Sequence, residues 1–507
     1  MSEGPPRASV DGGAAGRRPR EEMSRFSPVF VRTVLNENFE DAKAQFLAPL
    51  IAVHYAHLVM LAGQKIISPG DAREIRSALD AIDLDAVRGA RYDGTYEDLF
   101  FYVDALIVAG CGEEHSGRLH TARSRNDIDM TMYRMHQREL LLTIVDETLD
   151  LRRVLLSLAE RYRDAVFAAH THTQPAQPST VAHYLLAAIE QLERDAVRFK
   201  AAYGSTNRSP LGACAITGTG FPIDRRRTAE LLGFDDTTGN TYGSIATVDY
   251  LLETVGASSV MLVGLGRVVQ DLLLWCTNEF GYLRLGEGFV QCSSIMPQKR
   301  NPVALEHSRA IASKALAQAT AIVMTVHNTP FGDVVDTEDD LQPLVTKALT
   351  DAARAVSLVA AALESASFDT QALARSASVG WITLTELADT LTRDQGLPFK
   401  TAHQIASRLA DAGGASPSTP PAALLRRISS EVAGREIVYT DAQLTEILSP
   451  ERFVEIRRTP GGPASSETTR ASQVSEMLLR ADEDWLRETR QRLANAREAL
   501  EAAVAAL

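Results

Sequence analysis

The stretch from Ser244 to Phe280 constrains the fold more than any other. It reads as one long helix, apolar on more than one face around Leu251–Leu274, with Gly256, Gly264 and Gly266 interspersed. A helix that is apolar all round is normally buried rather than laid on a surface. Three further segments repeat apolar residues near the helical period: Met130 to Phe167, Thr180 to about Tyr203, and Val303 to Met324. In the first of these, Leu140, Leu141, Ile144, Leu149, Val154, Leu155 and Leu158 form the apolar stripe. No segment keeps the alternation of a strand, and Val334-Val335 is too short to count. The expected fold class is therefore all-α, built on a bundle of long central helices. Helices this long outrun one domain's own core, so packing between subunits is expected to cover the remainder.

The rest of the chain is read as additions to that bundle. Residues 1–22, rich in Gly, Pro, Arg, Glu and Ala, are expected to form a disordered tail. Helical patterning runs from Phe30 to Leu61. Pro69 suits the start of a helix over 71–80, and Thr95-Tyr96-Glu97-Asp98 leads another through Ile107. A run rich in Gly, Ala, Ser and Pro over 413–421 resembles a linker, and a last helix is expected over about 472–504. The formal net charge of -13 opposes nonspecific nucleic-acid binding. No apolar run of 18 residues predicts a transmembrane segment, and the N-terminus lacks the apolar core of a secretory signal. Cys111, Cys214, Cys276 and Cys292 form no CxxC pair, which fits a reducing cytosol better than a disulfide framework.

Chemistry concentrates in Gln291–Pro302. Pro297 and Pro302 break helix, so the segment is a loop that enters one. Ser293, Ser294, Lys299 and Asn301 can together remove a proton and hold negative charge, although the same composition also suits a polar surface loop. A second candidate is Gly117–Asp127, where Arg118, Arg123 and Arg125 join Ser124 and Asn126. Arginine offers paired donors to a carboxylate, and a solvated connector is the plainer alternative. His170 and His172 lack a third ligand at metal spacing, so acid–base or hydrogen-bond chemistry is the better reading. The glycine-rich passage Asn207–Gly220 matches no phosphate or dinucleotide pattern. No metal and no cofactor is expected.

These residues carry a family resemblance. Ser293-Ser294-Ile295-Met296-Pro297-Gln298-Lys299-Arg300-Asn301 resembles the signature loop of the fumarase/aspartase superfamily. His120-Thr121-Ala122-Arg123-Ser124-Arg125-Asn126 and Thr171-His172-Thr173-Gln174-Pro175-Ala176-Gln177-Pro178 are similar to motifs of its argininosuccinate lyase branch. Further matches are Pro210-Leu211-Gly212 and Gly396–His403, so the likeness spans most of 30–480 in family order. It implies an N-terminal helical domain over 23–120, a central bundle domain over 121–370 and a C-terminal helical domain over 371–507. It also implies a homotetramer with a twenty-helix core, each active site completed by three subunits, and an active-site loop near Glu97-Asp98. By the same likeness Ser293 is the base, with Ser294 as alternative, and Lys299 and Asn301 hold the developing charge. His172, charged or oriented by Glu306 of another subunit, assists departure of the amine. Ser124, Arg125, Asn126, Thr171 and Gln174 bind the substrate.

The reaction so implied is elimination of an amine from an N-substituted aspartate, a small dicarboxylate, through an aci-carboxylate to give fumarate, or its reverse. Ethylenediaminedisuccinate lyase is a degradative precedent. The sequence departs from the pattern at Phe100, where a histidine is common, at Gly243, Thr247 and Val248, where charges are usual, and at Cys292, usually glycine. The largest departure is 327–340. The branch's Tyr, Gln and Lys, which receive the distal amino-acid arm, have no counterpart there. A pocket that loses such groups changes its preferred partner, so the expected amine is not arginine. A genuine argininosuccinate lyase and a catalytically inactive structural homologue are the alternatives, the latter opposed by retention of the catalytic set.

Overall fold

The computed structural model describes residues 26–413 and 421–507. The expected tail over 1–22 and most of the 413–421 run lie outside the described residues. The fold is all-α. Five long helices make its centre: Arg125–Arg161, Val181–Thr206, Asp249–Trp275, Val303–Val326 and Gln342–Glu364. Each packs on the next, and the last returns to the first, so they close a ring. The first has 37 residues and is about 55 Å long at 1.5 Å per residue. Leu141, Ile144, Leu155, Ile189, Phe199, Met261 and Val356 fill the interior.

Local chemistry sets the smaller helices. Ser68 caps Pro69–Asp80 by accepting from the Asp71 amide at 3.1 Å, and the Asp71 carboxylate accepts from the Ser68 amide at 3.2 Å. Asp98 caps Leu99–Leu119 by accepting from the Phe101 amide at 2.9 Å. The pattern over Phe30–Leu61 bends by 73° between Pro28–Gln45 and Leu47–Gly63. The N-terminal core, with Leu50, Leu58, Ile75 and Val103, also takes Ile128, Tyr133, Leu211 and Leu500. A smaller C-terminal core gathers Leu387, Leu391, Ile405, Leu409 and Leu425.

Four expectations about elements need correction. The helix expected through Ile107 continues to Leu119, with Gly112 at φ +80° interrupting it. The helix expected through Phe167 ends at Arg161, and an antiparallel hairpin follows, Val166–Thr171 with Gln174–Thr180. Pro175 and Pro178 cannot continue a helix and are tolerated in an edge strand. The helix expected over Ser244–Phe280 is two, Thr241–Ala246 and Asp249–Trp275, parted at Thr247, which takes extended backbone (φ -89°, ψ 137°). Adjacent β-branched residues, Thr247 and Val248, disfavour helix at that point. Asp249–Trp275 is long and apolar enough to cross a membrane by length and composition alone, as the core helix of a bundle also is.

The last helix starts at Ser465 rather than about 472 and runs 41 residues to Ala505. It lies along the Arg125–Arg161 and Val181–Thr206 helices and reaches the N-terminal core through Leu500. A buried ion network fastens it: Arg152, wholly enclosed, pairs with Asp482, which also meets Lys200, while Glu193 lies 3.8 Å from Arg152. Removing one member of a buried pair strands the other charge. Asp482→Leu is therefore expected to lower the unfolding free energy by about 3 kcal/mol, read as a lower urea midpoint.

Candidate active site

Asp127 fixes the strip around Ser124. Its buried carboxylate accepts from the amides of Ser124 (2.8 Å), Gly212 (2.8 Å) and Cys214 (3.0 Å). Ser124 is the N-cap of the 37-residue helix. Gly212 takes φ +90°, and a Cβ there would lie 2.7 Å from Arg225 Cγ, so only glycine fits. The Ser124 hydroxyl donates to Asn126 Oδ1 at 2.6 Å, and the Asn126 amide donates to the Asp333 carboxylate.

Arg125 is already engaged. Its Nη1 bonds Glu97 at 2.9 Å and Asp98 at 2.8 Å, and its Nε lies 3.9 Å from Asp129. Tyr133 donates to Asp339 at 2.7 Å. Burial pushes the Asp129 carboxyl well above the usual range, with Asp339 and Asp98 adding to it. Burial and a hydrogen bond with Asp333 push Glu338 up to about 8. Burial raises Asp98 and Asp339 as well. The strip thus faces a wall of crowded carboxyl groups. Phe331 anchors the neighbouring segment by stacking on Tyr242 at 6.0 Å and accepting from its hydroxyl at 3.2 Å.

Thr171, His172 and Gln174 sit exposed at the hairpin tip. The turn is His172-Thr173, with φ of +50° and +64°, where glycine or asparagine is usual. A β-branched residue there is strained, and such strain clusters at functional sites. His183 is held structurally by Ser179 Oγ at 2.8 Å and the Gly461 carbonyl at 3.0 Å.

The signature loop is closed at its base by pairing of Gln291 with Asn301 and Cys292 with Arg300. Arg300 clamps that base to Glu287 at 2.5 Å and the Leu285 carbonyl at 3.3 Å. Within the loop, Ser293 Oγ accepts from the amides of Met296 at 3.2 Å and Ile295 at 3.4 Å. Lys299 and Asn301 line a cavity of about 790 Å³ with Arg284, Cys276, Met296 and Phe368. Glu306 is exposed in the first turn of Val303–Val326.

The candidate residues therefore form three groups: Ser124, Arg125 and Asn126; Thr171, His172 and Gln174; and Ser293, Lys299, Asn301 and Glu306. Among the described residues no hydrogen bond joins one group to another within a chain, nor Glu306 to His172. The sequence reading missed Asp129 and Tyr133, and took Glu338 and Asp339 only as part of an acidic patch ending at Asp340 that could face a positively charged amine. The spacing Arg125, Asp129, Tyr133 puts three polar side chains on one helical face and is the signal that could have found Asp129 and Tyr133. Among the described residues no three His, Cys, Asp or Glu side chains group to hold a metal ion.

A family model described as Lyase matches residues 103–317, and one described as Argininosuccinate lyase C-terminal matches 381–455. Argininosuccinate lyase 2 of Agrobacterium fabrum is 40% identical over 88% of this chain and 90% of its own. Argininosuccinate lyase of Methanoculleus marisnigri is 36% identical over 89% of this chain and 91% of its own. The solved structure of EDDS lyase in complex with formate superposes with a TM-score of 0.84 at 28% identity, covering 94% of this chain and 95% of that one. On helical ring, signature loop and these likenesses together, the chain belongs to the argininosuccinate lyase-like branch of the fumarase/aspartase superfamily and is a carbon–nitrogen lyase.

Proposed function

We propose that the chain eliminates an amine from an N-substituted aspartate to give fumarate, or adds that amine to fumarate, and that the amine is not arginine. One observation carries the second part. Where the branch places Tyr, Gln and Lys for the distal arm, this chain has Asp333, Glu338 and Asp339 beside Asn126 and Arg125. Crowded carboxyl groups oppose a further carboxylate, such as arginine carries, and favour a cationic amine without one. The likeness to EDDS lyase supports this reading. The relatives named argininosuccinate lyase favour the alternative, a housekeeping enzyme with a divergent distal pocket.

Ser293 is the base in this proposal. The amides of Ile295 and Met296 already point at its oxygen and stabilise the alkoxide-like form it needs. Lys299 and Asn301 hold the aci-carboxylate, an enediolate dianion, as the proton leaves the carbon beside it. His172, paired with Glu306 of another subunit, assists the departing amine in the anti elimination. Ser124, Asn126, Thr171 and Gln174 bind substrate. Arg125, with its guanidinium held by Glu97 and Asp98, acts mainly by holding the acidic wall in place. Assembly as a homotetramer brings the three groups together and covers exposed Val260, Val263, Val323 and Met324 on the central helices. The proposed compartment is the cytosol.

Ser293→Ala is expected to lower kcat by about 10²–10⁴-fold with the urea midpoint unchanged; unaltered turnover would remove Ser293 from the mechanism. Ultraviolet absorbance of fumarate, followed with a panel of amines and with argininosuccinate in the cleavage direction, tests the amine. Fumarate consumption with a non-arginine amine and inertness toward argininosuccinate are expected; ordinary cleavage of argininosuccinate would restore the housekeeping reading. Glu338 is neutral below its raised pKa of about 8 and anionic above it. The KM for a cationic amine should therefore fall as pH rises from about 7 to 9, and Glu338→Gln should flatten that profile.

A further inference from the structure

The residue before the strip, Arg123, is anomalous. It is 6% exposed, and its Nε and Nη2 have no hydrogen-bond partner among the described residues. No carboxylate forms an ion pair with it among the described residues. A buried guanidinium without a counter-charge is costly. Its Nη1 donates to Nδ1 of His54, 2.8 Å away on Leu47–Gly63, and His54 is fully buried. An imidazole that accepts at Nδ1 is neutral with its proton on Nε2, and His54 Nε2 has no partner either. Burial, then Arg123, then His57 and His120 push the His54 pKa well below the ordinary value.

Asp104 and Asp127 attract it only from beyond ion-pair distance, and an aromatic face adds to them. The Phe100 ring lies 5.9 Å from the Arg123 guanidinium and stacks on His54 at 6.0 Å and 28°. Cation–π attraction offsets part of the desolvation. One turn along the same helix, His57 Nε2 donates to the Thr121 carbonyl at 2.9 Å. Cys214 Sγ donates to the Ala122 carbonyl at 2.9 Å, and Ala122 takes φ +57°. Three consecutive residues, 121 to 123, are thus tied down inside the protein, and Ser124-Arg125-Asn126 follows immediately.

We infer that His54 and Arg123, braced by Phe100, are positioning residues that fix the backbone of the Ser124–Asn126 strip for substrate carboxylate. The ties to Thr121 and Ala122 set where the backbone turns, and the Arg123–His54 bond sets its direction into the helix. A bond of this kind is costly to leave unmade, because the acceptor lies where water does not replace it. The inference rests on the reading of that strip as substrate-binding.

Two variants of His54 separate positioning from packing. His54→Asn keeps an acceptor near the Nδ1 position, whereas His54→Leu keeps bulk without one. Hydrogen–deuterium exchange of the amides over 121–126 reads the strip without any substrate. Exchange should rise about tenfold in His54→Leu and return near wild type in His54→Asn, with the helices around it unchanged. Titration of the full-length protein with fumarate should show the Kd raised about tenfold in His54→Leu and within about threefold of wild type in His54→Asn. If His54→Leu does not fold, Phe100→Leu is read the same way and should give a smaller rise. Equal exchange in both variants and wild type, or equal loss in both, would overturn the proposal. Failure of the wild type to bind fumarate would instead strike the proposed function, while the exchange result still decides the positioning role.

Discussion

The Asp127 carboxylate is the point on which the site depends. It is fully buried, and a buried carboxylate is tolerable only when its oxygens are satisfied. Three backbone amides satisfy it, one at the start of the longest central helix and two from the passage more than 80 residues later. The glycine-rich passage is thereby explained without phosphate. Its backbone turns through Gly212 so that the alternate amides of Gly212 and Cys214 point inward, and Arg225 closes the turn by donating to the Leu211 carbonyl at 2.9 Å. Helix start, strip and glycine turn form one unit because a single anion demands all three.

The single chain leaves much of its chemistry facing outward. His172 and Thr173 hold left-handed backbone at an exposed tip, and Ser294 and Lys299 stand on an exposed loop. Strained backbone is retained where its surroundings or its function over-determine it, and among the described residues no hydrogen bond from another element reaches the His172 or Thr173 side chain. Exposed apolar side chains on the central helices pose the same question at larger scale. The proposed tetramer answers both, since covering the helix faces is what would bring hairpin, strip and loop of different subunits into one pocket.

The long helices were legible because their apolar period persists for twenty residues or more, and no local preference overrides such a signal. Pro69 announced its helix through its fitness for a first turn, while the capping role of Ser68 emerged only in the structure. The hairpin was not legible. Its turn uses His172-Thr173 in place of glycine or asparagine, so the usual mark of a hairpin turn is absent. The break at Thr247 was hidden by apolar sequence on both sides. The signature loop and strip were legible through family motifs, but their surroundings were not. Arg125 meets Glu97 and Asp98 nearly 30 residues earlier, and Tyr133 meets Asp339 about 200 later; such pairs exist only after folding.

The division between strip and loop has a physical logic. Recognition of a fixed carboxylate benefits from donors that cost nothing to organise at the moment of binding, and a helix N-terminus anchored by a buried anion provides that. Proton removal from carbon asks for a different arrangement: a hydroxyl among amide donors, with a cation near the charge that develops. A tight turn such as Ser293–Met296 supplies the amides, and a helix interior, whose amides are already bonded, does not. The clamp of Arg300 on Glu287 and Leu285 then fixes where that turn sits relative to the Val303–Val326 helix. In the proposed mechanism recognition is thus built on regular structure and reactivity on a stapled irregular one, because each needs the backbone amides in the opposite state.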